Sequence, residues 1–513
     1  MTAAPAVDRR GLRLIVAALV AAVLLSSLDA MIFNTALPTI VGQLHGIARM
    51  SWVPTAYLLT TVITMPVYGK LGDLVGRKWL FVAALALFLS GSVVGGMAGS
   101  MPMLIAARAI QGLGGGGMMV LSQAIIADVV PSRERGRYMA VVGSVFIFSS
   151  VAGPLLGGWF TSTIGWRWAF WMNVPIALLA IVAAIALLHP PRPATRPHLD
   201  APGIALVALA VTGLLVLTSI GGRAIAWTSP AAMALGAVAV LSAAGFVLAE
   251  RRAREPLIPL SLLTDRDFVL ATVGALCSAL AMFGAAGYLP TYLQMVDGLT
   301  PTAAGLHMMP MVAGIGTTAF TSGHVMSRTG RYAWMPVAGA VVVACALGLL
   351  SLLRVSTSPW VVSAAVYLFG AGLGFGMQTL VIVAQNAVPA EVVGTATAGF
   401  AFFREIGAAL GAAAVGGLFT ARLTAGLSQR LPARLADGHA RTPALVATLP
   451  ADVRERVAGA YHDALTPIFL GLAPMMLGAA LLLLFVRERP VGSEPAHAAP
   501  VVAQDLARHG GER

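Results

Sequence analysis

Gly69-Lys-Leu-Gly-Asp-Leu-Val-Gly-Arg-Lys78 lies between two long apolar runs. Gly323-His-Val-Met-Ser-Arg-Thr-Gly-Arg-Tyr332 lies between two others. Gly69, Gly76 and Arg77 match Gly323, Gly330 and Arg331 at one offset, 254 residues (323 less 69). A turn repeated this way points to two related helical bundles facing each other, a common arrangement for alternating access.

Composition agrees. The 513 residues are 58% hydrophobic and 11% charged, where soluble chains carry about 25% charge. That contrast excludes ordinary soluble, disordered and disulfide-scaffold classes. A helix needs about 20 apolar residues to cross roughly 30 Å of hydrocarbon. Runs of that kind fall near 12–36, 52–70, 79–99, 103–127, 137–161 and 169–188. Two more fall near 203–221 and 230–248. Six follow near 268–293, 303–325, 332–352, 360–385, 396–420 and 465–486. The runs are continuous rather than alternating, which disfavours a β-barrel.

The sequence thus predicts an all-α integral membrane protein of fourteen spans. Residues 1–190 would form a six-helix bundle, 191–262 two inserted helices with linkers, and 263–490 a second six-helix bundle. The second bundle would carry an outside loop over 421–464. Residues 491–513 would be a disordered cytoplasmic tail.

Basic residues orient the chain. With the N-terminus inside, 21 lysines and arginines fall on inside segments and four, Arg49, Arg167, Arg223 and Arg354, on short outside loops. That bias places both termini in the cytoplasm. The 421–464 loop is the exception, with six arginines outside. Arg9, Arg10 and Arg13 precede a first run too long for a cleaved signal peptide. The net charge of +12 is spread in small clusters, which suits a membrane surface and not nucleic acid. Cys277 and Cys345 sit in separate runs with no metal spacing.

Polar residues inside the spans are the candidate site. Asp29 lies deep in the first run, and a carboxylate there is costly unless it faces a cavity or a partner. It reads as a proton or cation site, or as a structural hydrogen-bonding group. Phe33, four residues on, shares its face, whereas Asn34 does not. Arg108 stays charged, and Gln111 and Gly112 share its helical face. The arginine would control a proton-binding acid or glue the bundle. The glycines at 112 and 114–117 permit close helix approach. Gly153, Pro154, Gly157 and Gly158 suggest tight packing and a bend. Arg404 and Glu405 point about 100° apart on a helix and need not pair with each other. They offer a second carboxylate beside the candidate cavity, or an ion-pair network. Asp128, near a span end, reads as structural. Met308, Met309 and Met311 around Pro310 suit an adaptable pocket wall or plain packing.

These segments together resemble the fourteen-helix drug:proton antiporter branch of the major facilitator superfamily, over nearly the whole chain. Gly69–Lys78 is similar to its signature loop between helices two and three, with Asp73 and Arg77 as charged latch residues. Leu28–Pro38 resembles its first-helix motif. Arg108, Gln111 and Gly112 match its fourth-helix motif, whose arginine is implicated in proton coupling. Gly153, Pro154, Gly157 and Gly158 match the fifth-helix antiporter motif. Arg404, Ile406 and Gly407 resemble its thirteenth-helix pattern. The second loop departs from the first, since Ser327 replaces Asp73 and His324 replaces Lys70.

The resemblance implies proton-driven export of drugs or other amphipathic, often cationic, molecules across a bacterial cytoplasmic membrane, not an enzyme activity. Proton coupling would fall to Asp29, Arg108 and Glu405. The substrate cavity would include Asp29, Phe33, Gln111, Arg404 and Glu405. Latch and hinge would be Gly69, Asp73, Gly76, Arg77 and the fifth-helix motif. No cofactor or metal is expected; a proton gradient supplies energy. Expected partners are small-molecule substrates, protons and membrane lipids, with a monomer as the functional unit. The alternatives are a dedicated exporter of a native metabolite or lipid, and a non-transporting receptor or scaffold.

Overall fold

The computed structural model describes residues 9–44, 49–50, 52–130, 132–188, 200–221, 225–253, 256–355, 357–389, 392–431, 446 and 449–488. Apart from a bridge between Gly221 and Ile225, their regular structure is helical. The first bundle holds α1 (Arg9–Gln43), α2 (Trp52–Val75), α3 (Arg77–Gly96), α4 (Met101–Val129), α5 (Ser132–Ser162) and a broken helix, α6 (Trp168–Trp171) with α7 (Asn173–Leu187). The inserted pair is α8 (Ala201–Ile220) and α9 (Pro230–Glu250). The second bundle holds α10 (Arg266–Ala286), α11 (Leu289–Met295), α12 (Pro301–Thr329), α13 (Trp334–Ser351), α14 (Pro359–Asn386), α15 (Val393–Arg430) and α16 (Ala451–Leu483).

Short polar side chains start several of these helices. Asp200, Ser229, Asp265 and Thr300 each accept a backbone amide three residues on, satisfying donors that have no partner within the helix. Gly330 ends α12 in the left-handed region, at φ 72°, where glycine is favoured.

Among the described residues, twelve helices are long and apolar enough to cross a membrane by length and composition. Two further long helices, α2 and α12, fall outside that set. They are the two that enter the repeated turns. Each is threonine-rich, and each packs against the opposite bundle, α2 on α15 and α12 on α5. Some of their polar groups bond to neighbouring helices. Thr60 Oγ1 donates to Ala109 O at 2.9 Å and Thr318 Oγ1 to Ala371 O at 2.8 Å.

Glycines set the close approaches. A Cβ on Gly112 would stand 2.3 Å from Tyr57 O, and one on Gly370 2.1 Å from Met311 O. Gly112, Gly115, Gly116 and Gly117 therefore bring α4 onto α2, Gly114 brings it onto α3, and Gly370 brings α14 onto α12.

The expected 421–464 loop is shorter than the sequence suggested. Helix α15 continues to Arg430 and α16 begins at Ala451. Buried Leu423, Leu427, Val457 and Tyr461 give these extensions an apolar face. Residues 432–445 and the tail expected over 491–513 lie outside the described set.

Candidate functional site

Asp29 is fully buried in α1, inside the first bundle. Its carboxylate accepts from three side chains. Arg108 of α4 forms a buried ion pair with Oδ2. Gln111 Nε2 and Asn173 Nδ2 each donate to Oδ1 at 3.1 Å. Ser92 Oγ of α3 accepts from Gln111 at 2.9 Å and Asn173 at 3.3 Å, closing the network. Gln111 Oε1 also accepts from Arg108 at 2.8 Å. The guanidinium lies 4.4 Å from the Phe33 ring centroid and 4.3 Å from that of Tyr57. These rings shield it while attracting its charge. Phe33 packs in turn on Phe170.

Four helices of one bundle thus converge on one carboxylate, with α2 contributing the Tyr57 ring. Asp29, Phe33, Arg108 and Gln111 come together as a unit. Sequence reasoning missed Ser92, Asn173 and Tyr57. Asn173, the one amide within its apolar run, was a usable signal.

Arg404 and Glu405 stand apart from this network. They bond to each other at 2.9 Å and remain partly exposed. The 100° divergence left their pairing open, and the two flexible chains close it. Arg404 also lies 3.6 Å from Met119 Sδ of α4, so the pair sits where α15 meets the first bundle.

An apolar cavity lies elsewhere, between the bundles. Its volume is about 290 Å³, and its lining includes Met31 of α1, Phe146 and Ser150 of α5, Met282 and Phe283 of α10, and Met311 and Val312 of α12. Met31 follows Asp29 by two residues, so the two side chains leave α1 about 200° apart. One face of α1 holds the carboxylate and the other lines the cavity. Of the expected cavity residues, Asp29, Phe33, Gln111, Arg404 and Glu405 are not part of this lining. Met311, from the methionine cluster, is.

Asp73 makes a charged contact between the bundles. It accepts from the backbone amides of Gly394 at 3.1 Å and Thr395 at 2.6 Å, and from Thr395 Oγ1 at 2.7 Å. These amides open α15. A carboxylate from one bundle therefore caps a helix of the other, where the helix dipole favours negative charge. Arg77 holds Asp73 at 2.8 Å, donates to Ala124 O at 2.7 Å and pairs with Asp128. Gly76, at φ 91°, makes the turn between α2 and α3. Gly69 permits the approach itself, since its Cβ would meet Ala398 Cβ at 2.2 Å and Gly394 O at 2.7 Å.

The second repeat keeps the approach and lacks the charge. A Cβ on Gly323 would meet Gly136 O at 2.8 Å across the α12–α5 seam. Ser327, at the position of Asp73, donates to His324 O within its own helix. In α5, Gly153 packs on α1 of the same bundle, where an added Cβ would stand 2.4 Å from that of Met31. A Cβ on Gly158 would meet nothing within 4 Å, and Gly157 O accepts from Thr161 Oγ1 at 2.8 Å. The helix is unbroken through 154, while the Pro154 side chain lies outside the described set.

Two paired bundles, a cavity between them and a charged contact at one end define a two-bundle membrane transporter. The chain matches the family model of the Major Facilitator Superfamily over residues 19–412 and belongs to that family. It is 39% identical over 487 residues to an uncharacterized MFS-type transporter of Mycobacterium tuberculosis strain H37Rv, covering 93% of this chain and 70% of that one. It is 32% identical over 409 residues to the multidrug transporter protein MdtP of Bacillus subtilis strain 168, covering 80% and 75%. Its fold is similar to that of the proton:xylose symporter XylE, with TM-score 0.61, 16% identity and coverage of 95% and 98%. The human organic anion transporter MFSD10 gives TM-score 0.60, 17% identity and coverage of 92% and 99%. Those two likenesses concern the fold.

Proposed function

We propose that this transporter exports drugs or other amphipathic small molecules in exchange for protons, by alternating access. The chain would cross a bacterial cytoplasmic membrane fourteen times, α2 and α12 included, with both termini inside. The observation that carries this reading is Asp29, an acid with no exposure held by Arg108, Gln111 and Asn173 inside a membrane bundle. Retaining an ionisable group there is expensive, and proton carriage repays that cost.

In this reading the Lys70–Lys78 end is cytoplasmic and closed, held by Asp73 on α15. A proton from outside neutralises Asp29 and releases Arg108 from its ion pair. The change reaches the substrate through α1, whose opposite face carries Met31. Substrate and proton then act on two sides of one helix and do not compete for one atom. Membrane potential adds about 2.3 kcal/mol per charge per 100 mV. Kinship with a multidrug transporter of Bacillus subtilis supports export.

The test is purified protein in vesicles with an imposed pH gradient and the voltage clamped by potassium and valinomycin. Uphill movement of drug against the proton gradient is expected. Flux indifferent to the gradient contradicts the reading.

A further inference from the structure

Two seams join the bundles, and they are not equivalent. Helix α8 lies over the α2–α15 seam, packing on both helices. Val207, Val211 and Leu215 are buried along α8, and Thr55 Oγ1 of α2 donates to Ser219 Oγ at 3.1 Å. Just beyond α8, the Trp227 ring approaches Gly417 of α15. Neither inserted helix makes a comparable contact with α5 or α12. Phe148 and Phe320 stand 58% and 70% exposed on these two helices.

The cavity adjoins the α5–α12 seam. It draws on α1, α5, α10 and α12, and on neither α2 nor α15. Tight contact across this seam is made at Gly136–Gly323, toward the end that bears the repeated turns. Farther from that end, Phe146 and Ser150 face Met311 and Val312 across open volume.

The lining carries no charge among the described residues. The one hydroxyl among the described lining residues, on Ser150, donates to Phe146 O at 2.8 Å. The nearest functional carboxylate, Asp29, is buried on the far face of α1 with its oxygens taken. A permanent cation here would lose its hydration and gain no counter-ion, a heavy cost. An uncharged aromatic molecule would meet phenyl rings and methionine sulfur, both favourable partners. A volume near 290 Å³ is at the lower edge of the roughly 300–1,000 Å³ of small-molecule pockets, so one compact molecule fits.

We infer that the cavity takes an uncharged, lipophilic aromatic molecule and exchanges it with the bilayer sideways through the α5–α12 seam, while α8 closes the other side. This rests on the export reading and narrows its substrate class from cationic to neutral.

The experiment has two arms on full-length protein in vesicles. In the first, gradient-driven efflux of N-phenyl-1-naphthylamine, an uncharged aromatic fluorophore, is compared with that of ethidium, a permanent cation. The neutral compound should move at least tenfold faster, and Val312→Trp, which fills the cavity, should abolish its transport. In the second, Val312→Cys in a Cys277→Ser, Cys345→Ser background is treated with bilayer-dissolved N-pyrenylmaleimide or a charged, membrane-impermeant maleimide. The bilayer-dissolved reagent should label first, and N-phenyl-1-naphthylamine should protect. This arm needs no flux and no tolerated tryptophan. Preference for ethidium, or equal labelling by the impermeant reagent, overturns the inference. Lateral labelling with protection but no gradient dependence for either compound overturns the proton-coupled reading and supports the seam route.

Discussion

At the residue scale, Asp29 shows how one carboxylate is satisfied in an apolar bundle. Its oxygens accept from a guanidinium and two amides. Asn173→Ala removes one of these donors and leaves the Arg108 ion pair in place, and losing a buried hydrogen bond costs about 1 kcal/mol. The variant should therefore melt at a lower temperature and transport more slowly under the gradient, read from melting curves and initial rates. Wild-type values of both would remove Asn173 from the network. Asp297, in the connection before α12, gives a pH effect. Burial raises it from its ordinary 3.8 to about 6, and its Oδ2 has no hydrogen-bond partner. The folded protein thus favours the neutral acid. Stability is greatest below the unfolded value and falls as pH rises through 3.8 to about 6. Asp297→Asn should remove that decline and raise the melting temperature near pH 7, with little change near pH 3.5. A melting curve identical to wild type at both pH values would count against it. Asp29 and Arg108 were legible in the sequence because charge is conspicuous in apolar runs. Asn173 gave a weaker signal and Ser92 none, since uncharged polar residues are cheap enough to occur in spans without a site.

At the element scale, the two repeated turns explain both what the pattern revealed and what it hid. Gly69 and Gly323 sit at matching offsets, and both make close contacts across seams. Their spacing announced the repeat. The partner of Asp73 was hidden, because it is the backbone of Gly394 and Thr395 at the start of α15. Backbone amides leave no residue-type signal. Asp73→Asn keeps shape and loses charge at that cap. Hydrogen bonds to charged groups contribute about 1.5–3 kcal/mol, and 1.4 kcal/mol is about tenfold. The open form of this end should therefore gain about tenfold or more in population. Spin labels at Val75 and Thr329, on opposite bundles at this end, would report it as a longer-distance component. An unchanged distance distribution would remove Asp73 as the latch. Gly69→Ala should also impair closure, since a Cβ there strikes another backbone. Gly348→Ala, with nothing within 4 Å, should leave transport within about twofold and serves as the control.

At the scale of the whole molecule, the bundles are joined at the end bearing the repeated turns, and a cavity lies farther along one seam. The sequence conveyed the helical runs, the repeat and the inserted pair. The placement of α8 over one seam was not legible, because a lipid-facing helix and a seam-covering helix are both apolar. Nor was the separation of Asp29 from the cavity, since helical spacing gives relative faces and not which face meets the other bundle. Only packing shows Asp29 turned inward and Met31 outward. The central claim is that Asp29 carries the proton that drives substrate movement. Asn preserves its size and polarity and cannot cycle a proton. Abundance and monodispersity of Asp29→Asn should be checked first, since Arg108 loses its ionic partner. The decisive measurement is substrate movement by this variant in proteoliposomes, with a pH gradient imposed and voltage clamped. Substrate exchange at equal pH should persist, and uphill transport driven by the gradient should vanish. Wild-type uphill transport by a well-folded Asp29→Asn protein would contradict the account.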